Sequence, residues 1–134
     1  MLGDFLLRII VAAVVGTLIG MRTNSTASRM FVLVSIGAAL LTIVSTEYFK
    51  VVNYPWIGDP GRLTAQIITA LGFLGTGLIW ISEKQEIKGL AIAASVWVTA
   101  ILGILIGTGL SLVNIVIIIF IVFIYLILTN KQME

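Results

Sequence analysis

The sequence predicts an all-α, polytopic transmembrane helical bundle with five spans, treated as one unit over residues 1–134. Three observations predict it. Hydrophobic residues make up 60% of the chain and charged residues 10%, with a mean hydropathy of +1.19. Soluble domains average about 45–50% apolar and about 25% charged. Five apolar runs follow one another, each near the roughly 20 residues that a bilayer crossing requires. Within several runs small residues recur at every fourth place, the spacing that lets helices approach closely in lipid.

The first run, about 5–21, carries Arg8 one turn inside and the series Ala12, Gly16, Gly20. Asp4 and the lack of a small-x-small cleavage site mark it as a retained span and not a signal peptide. A polar loop, Arg22 to Arg29, leads to the second run, about 30–46, with Ser35, Gly37, Ala38 and Ala39 at its centre. Counted from Met30 to Ser45 it is the shortest run, with room to extend to Tyr48. Tyr48, Tyr54 and Trp56 then fit the headgroup level, and Asn53 to Asp59 has turn chemistry.

The third run, about 60–81, is the one around which the others are arranged. Asp59-Pro60 is a helix start: the carboxylate caps free N–H groups, and proline suits the first helical position. At about 100° per residue, Arg62, Gln66, Thr69 and Phe73 share one face, with Thr76 at its edge. The run also holds Gly72, Gly75 and Gly77. Such a composition predicts a helix inside the bundle, its glycines packed and its polar side chains facing protein or water.

Ser82 to Lys88 reads as a charged connection ahead of the fourth run, about 89–107. There Ala91, Ser95, Thr99, Gly103 and Gly107 form the longest small-residue stripe in the chain, and Trp97 is expected as a core wedge. Gly107-Thr108-Gly109 reads as a tight turn. The fifth run, about 112–128, is Ile-, Val- and Phe-rich with Asn114 its one strongly polar side chain, as for an outer helix facing lipid.

With five spans, Arg22, Arg29, Lys84, Lys88 and Lys131 share one side, and Arg8, Lys50 and Arg62 the other. That bias predicts an N-terminus outside and a cytoplasmic C-terminus. Cysteine and histidine are absent, which removes disulfides, Cys/His metal sites and an imidazole switch. No cofactor is expected. Any metal would be a hard ion on oxygen ligands, with Asp59 the one carboxylate near a span start. No basic run with interleaved aromatics points to nucleic acid. No nucleophile–base pair, P-loop or HExxH points to an enzyme.

The motifs resemble a known family. Asp59-Pro60, Arg62 and Ala65-Gln66 are followed by Gly72-Phe73-Leu74-Gly75 and Gly77. Then come Gly89-Leu90, Ala93-Ala94-Ser95, Trp97-Val98-Thr99-Ala100 and Gly103. In that order they are similar to the transmembrane domain of the MgtC/SapB membrane proteins, from about Arg8 to about Gly107. Arg29 falls where that family carries an arginine before its second span. Gly20-Met21-Arg22 departs from the family's Gly-Leu-Glu-Arg, lacking its acidic residue, and the family's C-terminal soluble domain is not expected here.

The resemblance implies a prokaryotic inner-membrane protein of adaptation to low magnesium and of virulence. It also implies a regulatory partner such as the F-type ATP synthase; a Mg²⁺ transporter or channel is the alternative. From the residues themselves, Arg8, Asp59, Arg62 and Gln66 are the candidate polar site, and the resemblance adds Arg29 to it. Asp4–Arg8 and Asp59–Arg62 pairs are expected to join the first and third helices. Gly16, Gly20, Gly72, Gly75, Gly77, Ser95, Trp97, Thr99, Gly103 and Gly107 are expected at helix contacts. Because five helices leave little room to bury both the first and fourth stripes, a homo-oligomer, most simply a dimer, is expected in the bilayer.

Overall fold

The computed structural model describes residues 2–23, 25–52, 59 and 61–129. Among them are five helices: α1 (Leu2–Gly20), α2 (Ser25–Val52), α3 (Gly61–Gly77), α4 (Leu90–Thr108) and α5 (Leu112–Thr129). Four of them, with α2 contributing Ser28–Glu47, are long and apolar enough to cross a membrane. The 17 residues of α3 rise about 26 Å, just short of the roughly 30 Å hydrocarbon core.

The element boundaries differ from expectation in two places. The second helix is the longest, at 28 residues, not the shortest. The expected loop Arg22–Arg29 contracts to a turn in which the Thr23 hydroxyl and amide both donate to the Gly20 carbonyl oxygen, at 2.8 and 3.0 Å. Ser25 to Ser28 then enter the helix. The third helix stops at Gly77 and does not reach Trp80. Trp80–Ile81 (β1) instead pairs antiparallel with Ile87–Lys88 (β2), opposing Trp80 to Lys88 and Ile81 to Ile87. This small hairpin closes through Ser82 N–H to the Glu86 carbonyl at 2.9 Å. Gly89 follows at φ 84°, where an added Cβ would collide with the Leu78 carbonyl oxygen, so only glycine fits that turn. Residues 53–58, Pro60 and Lys131, and with them the expected Tyr54 and Trp56 belt, lie outside the described residues.

The core is organised on α2. A Cβ on Gly16 would lie 2.7 Å from the Val32 Cα, and one on Gly20 would lie 2.8 Å from the Ser28 carbonyl oxygen. The helices α1 and α2 therefore run antiparallel in close contact. On its other side α2 takes α4: a Cβ on Gly103 would lie 2.5 Å from the Ser35 carbonyl oxygen, and one on Gly107 would lie 2.6 Å from the Thr42 Cβ. These two helices run parallel. One helix thus buries both glycine stripes within a single chain, and the packing reason for expecting a dimer is already met there. Phe31, Ile19, Leu102, Ile106 and Val96 fill the space between. Against this core α5 buries Ile118, Val122 and Tyr125, with Ile121 and Leu126 partly covered, and leaves the rest of its surface outward as an outer helix should.

The alternation of directions gives the bundle two ends. One, the Arg8 end, collects the starts of α1, α3 and α5 and the ends of α2 and α4. The hairpin end collects the α1–α2 turn, with Arg22 and Arg29, and the hairpin, with Lys84 and Lys88.

Candidate functional site

The third helix buries Ile67 and Leu71 against the bundle. At about 100° per residue, Arg62, Thr69, Phe73 and Thr76 fall on the opposite side. Arg62, Gln66, Thr69, Phe73 and Thr76 are all exposed, Phe73 to 80%. The expectation that this polar face points into the bundle is overturned: α3 sits at the periphery and turns it away. The reason is the apolar pattern itself, since Ile67, Leu71 and the half-buried Leu78 recur on one side and claim the core contact.

The glycines of α3 follow the same geometry. A Cβ on Gly72 or Gly77 would meet nothing within 4 Å, and one on Gly75 would make an ordinary contact of 3.9 Å with the Ala93 Cβ. They are not the tight contacts expected. Thr69 and Thr76 satisfy their hydroxyls within the helix, donating to the Ala65 and Phe73 carbonyls at 3.1 and 2.7 Å. Arg62 and Gln66 have no side-chain partner among the described residues. Asp59 accepts from the Gly61 N–H at 2.8 Å through Oδ1, and its carbonyl accepts from the Arg62 N–H at 3.1 Å. It is the cap of α3, and it forms no ion pair with Arg62.

Nor do the first and third helices share a polar network. Arg8 donates through Nη2 to Asp4, as expected at i, i+4, but through Nη1 to the Gly107 carbonyl oxygen at 3.0 Å. Its guanidinium carbon lies 5.8 Å from the Phe5 ring centroid, and its side chain is 16% exposed. The last carbonyls of a helix lack intrahelical donors and carry partial negative charge, so a cation there satisfies both. The adjoining turn is closed by Asn114, whose Nδ2 donates to the Gly109 carbonyl at 2.7 Å. This α1–α4 clamp was not foreseen. Its signals were an arginine one turn inside a span and a glycine-rich turn with an asparagine behind it.

Two further residues fall elsewhere than expected. Trp97 is 46% exposed, because it follows Val96 on the far side of the buried Thr99–Gly103–Gly107 stripe. Ser95 donates to the Ala91 carbonyl at 2.8 Å and lines a cavity of about 330 Å³ between α4 and α5, outside the tight contact. Thr99, Gly16, Gly20, Gly103 and Gly107 are buried as expected. Arg29 is exposed and lies at the mouth of an apolar groove of about 550 Å³ between α2 and α3. Among the described residues no three His, Cys, Asp or Glu side chains gather where they could hold a metal ion.

Comparison with known proteins places these features in context. Residues 9–133 match the MgtC family, a longer match than the motifs alone suggested, since it takes in α5. YhiD of Escherichia coli K12, whose name assigns it provisionally to magnesium transport, is 40% identical over 116 residues, covering 82% of this chain and 54% of YhiD. SapB of Bacillus subtilis is 33% identical over 112 residues, 79% of this chain and 48% of SapB. MgtC of Salmonella typhimurium is 34% identical over 109 residues, 78% of this chain and 44% of MgtC. The chain spans about half the length of these curated relatives. No solved structure matches it.

Proposed function

This chain belongs to the MgtC family, and from that premise we propose that it is a non-catalytic inner-membrane protein of magnesium homeostasis that binds another membrane complex through the outward side of α3. The observation that carries this reading is the direction of Arg62 and Gln66. An arginine at the centre of a span costs about 2.5–3.5 kcal/mol on insertion scales, less near an end where it can reach the headgroups. Arg62 sits at such an end. Gln66 lies one turn deeper, about 7.5 Å along the helix from Gly61, with its amide unpaired among the described residues. Leucine at either place would be a cheaper lipid-facing residue. A partner helix offering carbonyl or carboxylate acceptors would turn both into favourable contacts.

The same geometry weighs against conduction by one chain. The space between α1, α2 and α4 is filled by side chains and by backbones in contact at Gly16, Gly20, Gly103 and Gly107. The cap on α3 occupies one oxygen of Asp59, and Arg62 beside it would repel a cation. The Lys/Arg bias favours a cytoplasmic hairpin end and an external Arg8 end. The family resemblance makes the F-type ATP synthase the first partner to test.

The experiment that separates regulator from transporter is Mg²⁺ flux in proteoliposomes carrying the purified chain. The regulatory reading expects no flux above protein-free vesicles. Saturable flux that scales with protein would replace it with transport.

A further inference from the structure

We propose that the groove between α2 and α3 is a binding site for an anionic phospholipid, with the headgroup phosphate at Arg29 and an acyl chain along the groove. On the α2 side the groove is lined at four-residue spacing by Arg29, Leu33, Gly37 and Leu41, and on the α3 side by Ile67 and Leu74. From Arg29 to Leu41 the helix rises about 18 Å, close to half of the roughly 30 Å hydrocarbon core. The groove is therefore one leaflet long and opens toward a membrane face at its charged end. A docked transmembrane helix would need an apolar wall across both leaflets. A phospholipid needs only this length, apolar below and cationic at the top.

Charge at that end fits the same ligand. Arg29 is exposed, and its guanidinium has no partner among the described residues. It lies near the start of α2, and Arg22, Lys84 and Lys88 share the hairpin end. Basic pockets between transmembrane helices are places where acidic headgroups bind. Gly37 keeps the middle of the groove open, since a Cβ there would meet nothing within 4 Å. The helix needs no glycine at that point for packing, so the missing side chain is accounted for by the groove.

Native mass spectrometry of the full chain in detergent tests this, with phosphatidylglycerol or phosphatidylcholine added at equal concentration. The parent is expected to retain one phosphatidylglycerol in preference to phosphatidylcholine. Arg29→Gln should lower that preference about fivefold, the weight of one basic residue at an anionic surface, without changing phosphatidylcholine retention. Gly37→Leu, which fills open space, should lower retention of both lipids at an unchanged melting temperature. Gly72→Leu, equally open but outside the groove, should change neither. Equal retention of the two lipids by the parent would overturn the proposal. So would Arg29→Gln or Gly37→Leu behaving as the parent, or inorganic phosphate displacing the bound lipid, which would mark a headgroup-only anion site.

Discussion

The guanidinium of Arg8 donates to the carbonyl oxygen of Gly107 at 3.0 Å, tying the first turns of α1 to the last turn of α4 across 99 positions of sequence. The bond is made at a helix end whose carbonyl has no donor of its own, by a cation whose other branch is held by Asp4. Hydrogen bonds to charged groups contribute about 1.5–3 kcal/mol. Arg8→Gln should therefore lower unfolding stability in detergent by about that amount, whereas Arg8→Lys, which keeps the charge but not the two-branched fork, should fall between. Thermal unfolding of the two variants beside the parent checks the order.

The glycines divide into two sets with opposite expectations. At Gly103 and Gly16 an added Cβ would lie 2.5 and 2.7 Å from backbone atoms of α2. Overpacking of that kind costs about 1–3 kcal/mol, and Gly103→Ala and Gly16→Ala should each lower the melting temperature. At Gly72 nothing lies within 4 Å. There Gly72→Ala should be neutral or stabilising by up to about 1 kcal/mol, the helix-propensity difference.

The two ends of the bundle should label from opposite sides of the membrane. Ser111 is exposed at the Arg8 end and Glu83 at the hairpin end. With Ser111→Cys and Glu83→Cys made singly in this cysteine-free chain, an impermeant thiol reagent applied to whole cells is expected to mark position 111 and spare position 83. The reverse pattern would invert the orientation drawn from the Lys/Arg bias.

Much of the architecture was legible because it rests on local pattern. The ranges of α4 and α5 fall within a residue or two of the apolar runs, and the glycine contacts of α1 and α4 follow from four-residue spacing. What was not legible is which neighbour each face meets. Spacing places Arg62, Gln66, Thr69 and Phe73 on one side of α3 but does not say whether that side turns inward. Ile67 and Leu71 decide it by taking the core contact. For the same reason Trp97, on the face opposite the stripe, could be read as a wedge. At its start the length of α2 was hidden by Ser25 to Ser28, residues that serve loops and helix starts equally well, and at its end by Glu47 to Val52, which continue the helix beyond the apolar run. The Arg8–Gly107 bond ends on a backbone carbonyl, so the donor arginine and the glycine-rich turn hinted at it but nothing in the residue types named the acceptor.

The central claim is that the outward polar side of α3 serves a partner and not the fold. The most direct measurement is growth in low magnesium of a strain lacking its own copy and carrying Arg62→Leu with Gln66→Leu, beside the abundance of the membrane-inserted variant. Asp59 is left intact because it caps α3. Both changed side chains face away from the core, so abundance and melting temperature should match or exceed the parent, while growth support should be lost. A variant present at normal abundance that restores growth fully would contradict the claim.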